Sequence, residues 1–173
     1  MRVAVFLEHR FEQTPDGAVW TDGPFAYGFF TRYLDVFDEA CPVARVRHVE
    51  RAEPSWFRAD GPGVSFEPAP YYLGPWQYLR ALPRAWLAAR RSAREQGRAV
   101  ILRAPTEIGS LAARDLIASG KPFSAEVVGD PWDACAPGAV SHPLRAIARR
   151  RHLRAQQRIC AHAAATAYVT AEA

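Results

Sequence analysis

Short apolar runs containing β-branched residues recur along the chain at Val3–Leu7, Val43–Val49, Val64–Phe66, Val100–Leu102, Ala125–Val128 and Ala167–Val169, each short enough for a buried strand. Between most of them the apolar positions switch to intervals of three and four, the period of a helix face. Phe25, Phe29, Phe30, Tyr33, Leu34 and Phe37 give a core-facing stripe to a first helix over Phe25–Phe37, with Pro24 suited to its first turn. A second helix is predicted over Trp76–Arg94, carrying Leu79, Leu82, Trp86 and Leu87 inward, with Pro83 expected to kink or divide it. A third runs over Thr106–Ala118 with Ile108, Leu111, Ala112 and Leu116 inward. A fourth runs over Leu144–Ala163 with Leu144, Ile147, Ala148, Ala155 and Ile159 inward.

Continuous apolar strands alternating with helices imply a mainly parallel sheet covered on both faces, a doubly wound α/β architecture. No internal repeat and no Gly/Ser linker interrupts residues 1–173, so one domain is expected. Glu50–Gly63, with Pro54, Pro62 and two glycines, reads as a surface loop. The sequence closes on Ala167-Tyr168-Val169-Thr170-Ala171-Glu172-Ala173, a strand entering a helix, so more chain or a partner chain is expected to follow.

The composition, 49% hydrophobic with 12% aromatic residues, excludes a disordered or collagen-like chain. The net charge is +4, but Lys121 is the only lysine among 22 basic residues, a bias that reads as codon usage rather than a selected phosphate-binding surface. The run Arg145, Arg149, Arg150, Arg151, Arg154 and Arg158 is either a solvated helix face or a seat for anionic lipid. No aromatic residues interleave with these arginines as a single-strand platform requires, so no nucleic acid is expected. Cys41, Cys135 and Cys160 form neither a disulfide framework nor a zinc-ligand pattern, and a reducing cytoplasm is the expected compartment. Val3–Leu7 is too short for a signal sequence or a membrane span.

In this architecture ligands bind beyond the carboxyl ends of the strands where the strand order reverses, which points to the loops after the first and fourth strands. The first, Glu8–Gly23, is far longer than the roughly two to six residues of an ordinary βα connection and holds His9, Arg10, Asp16, Trp20 and Asp22. It lacks GxGxxG, so no dinucleotide cradle is expected. His9 is either a site residue or a strand-end donor to a backbone carbonyl; Asp22 caps the following helix or touches a ligand. Arg103-Ala104-Pro105-Thr106-Glu107 delivers a hydroxyl and a carboxylate to a helix N-terminus, for anion binding or for capping. Arg103 binds a phosphate or pairs with Glu107. Asp130 and Asp133 flank Trp132, a set suited to sugar recognition or to an ordinary turn. Tyr71, Tyr72, Trp76 and Tyr78 read as core and rim packing, with sugar stacking as the alternative.

Phe6-Leu7-Glu8-His9-Arg10-Phe11, Trp20-Thr21-Asp22-Gly23-Pro24-Phe25, Val127-Val128-Gly129-Asp130-Pro131-Trp132-Asp133 and the closing Ala167–Ala173 segment resemble, in order and at strand ends, the amino-terminal half of GT-B glycosyltransferases of the family 4-like kind. The resemblance implies a Rossmann-like, acceptor-side domain of an enzyme that moves a sugar from a nucleotide-sugar donor to a hydroxyl acceptor. It implies no cofactor and no obligatory metal. The donor would be held mainly by a second domain or partner chain, and the saccharide acceptor by this one; the lipid-facing reading of the arginine run would suit a lipid-linked acceptor and peripheral membrane contact. The chain departs from the family pattern in that Gly17 and Gly23 stand apart in the first loop and no histidine lies in Arg103–Glu107. The acceptor-binding set expected is His9, Arg10, Trp20, Asp22, Gly23, Arg103, Thr106, Glu107, Asp130, Trp132 and Asp133. The alternative is a Rossmann-like module that binds a saccharide or an anion without catalysis.

Overall fold

The computed structural model describes residues 1–129 and 145–168. Strand β1 (Arg2–Gln13) turns into β2 (Val19–Thr21), followed by α1 (Tyr27–Leu34), β3 (Glu39–His48), β4 (Phe57–Arg58) and β5 (Glu67–Pro70). Then come α2 (Gly74–Arg94), β6 (Arg98–Ala104), α3 (Glu107–Ser119), β7 (Ser124–Val127), α4 (Arg145–His162) and β8 (Ala165–Tyr168). Six strands form a parallel sheet in the spatial order β5-β3-β1-β6-β7-β8. With β2 and β4 set aside, that order is third, second, first, fourth, fifth, sixth along the chain, as in Rossmann-like folds. The doubly wound α/β expectation holds.

Alternating side chains of the strands build a core on each face. Val3, Val5 and Leu7 of β1 join Phe30 and Tyr33 of α1, with Phe25, Phe29, Leu34 and Phe37 packed partly against them. Ala4 and Phe6 face the other way, onto Ala85, Ala89 and Ala93 of α2, the apolar face of α3, and Ile159 of α4. Thus α1 covers one face and α2, α3 and α4 the other. The helix α3 follows its sequence closely. Ile108, Leu111, Ala112 and Leu116 are buried, Thr106 caps the start by accepting from the Gly109 N–H, and Gly120 ends it at φ 68°.

Four expectations are corrected. The supposed first loop is mostly strand: β1 runs on through Glu8, His9 and Arg10 to Gln13, and β2 returns antiparallel beside it, with β4 on its far side. Between the pairs Phe6–Val43 and Arg10–Arg45, β1 carries two more residues than β3, a bulge that keeps the facing of the strand because the excess is even. The third parallel strand lies at Glu67–Pro70 rather than Val64–Phe66. It pairs only with β3 on the sheet edge, where Pro68 and Pro70 leave no ladder bond unmade. Finally, α2 continues through Pro83, and its inward face is Ala85, Ala89, Ser92 and Ala93, whereas Leu79, Trp86 and Leu87 are exposed and Leu82 is only partly buried. Small side chains at intervals of four let α2 lie close on the sheet. Leu79 and Pro83 both face solvent, so water can take the hydrogen bond that proline forgoes. Ile147 of α4, also expected inward, is exposed.

Candidate functional site

The strand order reverses between β1 and β6, and the helix N-terminus that opens there is already occupied. Glu8 lies just beyond the last β1–β6 pair, Phe6–Leu102, and its Oε2 accepts from the Glu107 N–H at 2.9 Å and the Thr106 hydroxyl at 3.4 Å. Its other oxygen meets the Arg45 guanidinium of β3 at 2.7 Å. Arg45 also donates to the Tyr72 carbonyl at 3.1 Å and stacks over the Tyr72 ring at 4.6 Å. An internal carboxylate thus takes the position where a helix start ordinarily receives an external anion. Thr106 plays the capping role, and anion binding by the α3 N–H groups is not what this arrangement offers.

One residue on, the Glu107 side chain turns to α4. Its Oε1 meets His152 Nε2 at 2.7 Å, and Oε2 accepts from Arg151, which also donates to the Tyr78 hydroxyl of α2 at 3.0 Å. Burial pushes the Glu107 carboxyl up, but the hydrogen bonds and positive charge of His152, Arg151 and Tyr78 outweigh it and hold the group below its ordinary range. With Glu107 ionised, His152 donates through Nε2, which leaves Nδ1 as the basic nitrogen. No partner for Nδ1 is found among the described residues. Tyr72 stacks edge-on against Tyr78 at 5.1 Å. Its hydroxyl is buried without a hydrogen-bond partner, and burial, with the negative charge of Glu8, raises its pKa. A 450 Å³ groove between α3 and α4 starts at Glu107, Arg151 and His152 and continues past Arg114, Arg154 and Arg158.

The residues expected from sequence scatter around this cluster. His9 does not donate to a backbone carbonyl: Nε2 lies 2.8 Å from the Thr21 hydroxyl, and the ring packs edge-on between Phe11 and Phe25, at 4.7 Å from each. Burial lowers its pKa, Arg10 and Arg45 add to the shift, and Asp22 opposes it. Glycine at position 23 leaves room for the ring, since a Cβ there would sit 2.8 Å from His9 Cε1 and one of the two would have to shift. Arg10 is exposed. Trp20 Nε1 donates to the Thr14 hydroxyl at 3.1 Å inside the hairpin. Asp22 is exposed and caps nothing, because α1 starts later, at Tyr27, with Ala26 at its N-cap and no side-chain cap. Arg103 pairs with Glu126 at 2.9 Å rather than with Glu107, and lies over the Phe29 ring at 4.6 Å. Glu126 also binds Arg32 at 2.8 Å and the Tyr33 hydroxyl at 3.0 Å, a closed network on the α1 face. Asp130, Trp132 and Asp133 lie outside the described residues. Sequence reasoning did not single out Arg45 or His152, gave Tyr72 and Tyr78 a stacking role only as the alternative to packing, and gave Arg151 a lipid-facing role only as the alternative to a solvated face; of the expected set, Thr106 and Glu107 stand with them.

Among the described residues no group of three or more His, Cys, Asp or Glu side chains is placed to hold a metal ion, and no helix is long and apolar enough to cross a membrane. Fold and site together define an α/β protein of Rossmann-like strand order whose charged cluster sits at the switch point of the sheet. Over 110 residues the chain is 28% identical to Protein CapJ of Staphylococcus aureus, a match covering 64% of this chain. The match spans 28% of the length of CapJ, so this chain corresponds to less than a third of that relative. No family model matches the chain. No solved structure matches it.

Proposed function

We propose that this chain is the acceptor-binding part of an enzyme that transfers a sugar from a nucleotide-sugar donor to a hydroxyl acceptor. The observation that carries the reading is the Glu107–His152 pair at the carboxyl edge of a parallel sheet, beside the strand-order reversal where such folds bind ligands. Glu107 fixes the imidazole through Nε2, and Nδ1 accepts the proton of the acceptor hydroxyl as its oxygen attacks the anomeric carbon, while the bond from that carbon to the donor's phosphate oxygen breaks and the nucleotide leaves with the bonding pair. Arg151 and Tyr78 offer donors for acceptor oxygens beside that base. The donor is held chiefly by a second domain or partner chain.

The test is a transfer and donor-hydrolysis assay with a panel of nucleotide sugars, on the chain alone and on the chain supplied with a donor-binding domain from its own genomic neighbourhood. Turnover only in the completed form, reduced about 10²-fold or more by His152→Asn, is the expected result. Saccharide binding without turnover in either form would instead make the chain a non-catalytic binding module. Turnover indifferent to His152→Asn would remove the base assigned here.

A further inference from the structure

We propose that the outward face of α2 is a docking surface for an anionic lipid bilayer. This goes beyond the sugar-transfer reading and does not depend on it. Large apolar side chains point away from the core along this helix: Trp76 is 76% exposed, Leu79 56%, Leu87 61% and Trp86 39%. At 100° per residue these four, with Pro83, fall within an arc of roughly 100°. Arg80, Arg84 and Arg91 occupy the adjoining strip of the same exposed face. None of the three has an ion-pair partner among the described residues, whereas Arg90 and Arg94 are held by Asp115. The helix contains no Asp or Glu at all.

This combination selects the partner. The core of a protein interface is depleted of charge and its rim mixes both signs. An apolar ridge of Trp and Leu flanked by unpaired arginines of one sign instead matches a bilayer boundary, where the ridge enters the acyl edge and the guanidinium groups meet lipid phosphates. The neighbouring α4 lies on the same side of the sheet and also lacks carboxylates. Its Arg151 reaches Tyr78 at the start of α2, and Arg150, Arg154 and Arg158 are exposed, so α4 extends the positive field. The arginine run of α4 has Ile147 as its only exposed large apolar residue, and so supplies attraction without insertion. The inserting element is α2.

Co-sedimentation of the chain with vesicles of phosphatidylglycerol and phosphatidylcholine, against phosphatidylcholine alone, tests the assignment. The chain is expected to sediment with the anionic vesicles, with a blue shift of Trp emission and a loss of binding as salt rises. Arg80→Gln/Arg84→Gln/Arg91→Gln should lower the partition coefficient on the order of a hundredfold, at about fivefold per charge. Trp76→Ser/Leu79→Ser/Leu87→Ser should lower it at least tenfold while leaving the far-UV circular dichroism unchanged, since all three side chains face solvent. Failure to bind anionic vesicles, equal binding to neutral ones, or an apolar variant that binds undiminished would overturn the proposal. A doubled mass in sedimentation equilibrium, abolished by the apolar variant and unaccompanied by vesicle binding, would assign the face to a second copy of the chain instead.

Discussion

Replacing Glu8 by glutamine removes one charge from the switch point while keeping the size of the side chain and an oxygen that can still accept from the Glu107 N–H. What is lost is the ionic character of the contact to Arg45, 2.7 Å away, between side chains that are 13% and 28% exposed. A hydrogen bond involving charged groups contributes about 1.5–3 kcal/mol. The favourable placement of a negative charge at the start of α3 adds about 0.3–1 kcal/mol. The Arg45 guanidinium keeps the Tyr72 carbonyl and ring, so the loss should stay near these sums, about 3 kcal/mol. For a chain of this size that corresponds to a fall in Tm of roughly 6–12 °C. Urea unfolding followed by circular dichroism should show a lower midpoint at an unchanged slope. Arg45→Met removes the stranded charge, so Glu8→Gln/Arg45→Met should cost at least about 1 kcal/mol less than the two single changes added together. A Glu8→Gln protein within about 0.5 kcal/mol of wild type, or strict additivity of the pair, would refute the view that Glu8 neutralises Arg45 and α3 together.

Glu107 gives a pH signature. Its folded carboxyl titrates below the ordinary value near 4.5, so its contribution to stability is complete above that value and is lost as pH falls through the folded pKa. Stability curves of wild type and Glu107→Gln should therefore converge on acidification below about pH 4.5, and parallel curves would count against the assigned pairing. Gly109→Ala should destabilise although alanine favours helices. Its Cβ would lie 2.2 Å from Thr106 Cγ2, and relieving that contact costs the cap, about 1 kcal/mol. In a Thr106→Ser background, which keeps the capping oxygen, the same change should become neutral or stabilising by thermal melting. Gly23→Ala should push the His9 ring off Thr21 and cost roughly 1–3 kcal/mol, and an unchanged melting temperature would mean the aromatic pocket yields freely.

The sheet and α3 were legible because their signals are local: a cap residue, a periodic apolar face, a closing glycine, and strands dry on both sides. The length of β1 was not, because Glu8, His9 and Arg10 break the apolar run at the place where the strand leaves β6 and gains β2. The inward face of α2 was misread because large apolar residues were weighed above small ones, although Ala85, Ala89 and Ala93 recur at intervals of four and are what a close approach to the sheet demands. In the candidate site, Glu107 was readable from its place after β6, but His152 reaches it only through the docking of α4. Arg45 sat within a strand read as buried, and the partner of Arg103, Glu126, comes from the adjacent strand β7. Pairings of this kind depend on strand order, which no single segment encodes.

The hairpin that replaces the expected loop bears on the thermodynamics of recognition. A flexible connection of that length would surrender about 1–2 kcal/mol of backbone entropy for each residue immobilised by a ligand. Here β1, β2 and β4 are hydrogen-bonded to one another, and the turn between β1 and β2 is fixed by Thr14 and Asp16. The ordering is complete when the chain folds, and a molecule that contacts this hairpin meets a preorganised surface, so its affinity carries little penalty for rigidifying the protein.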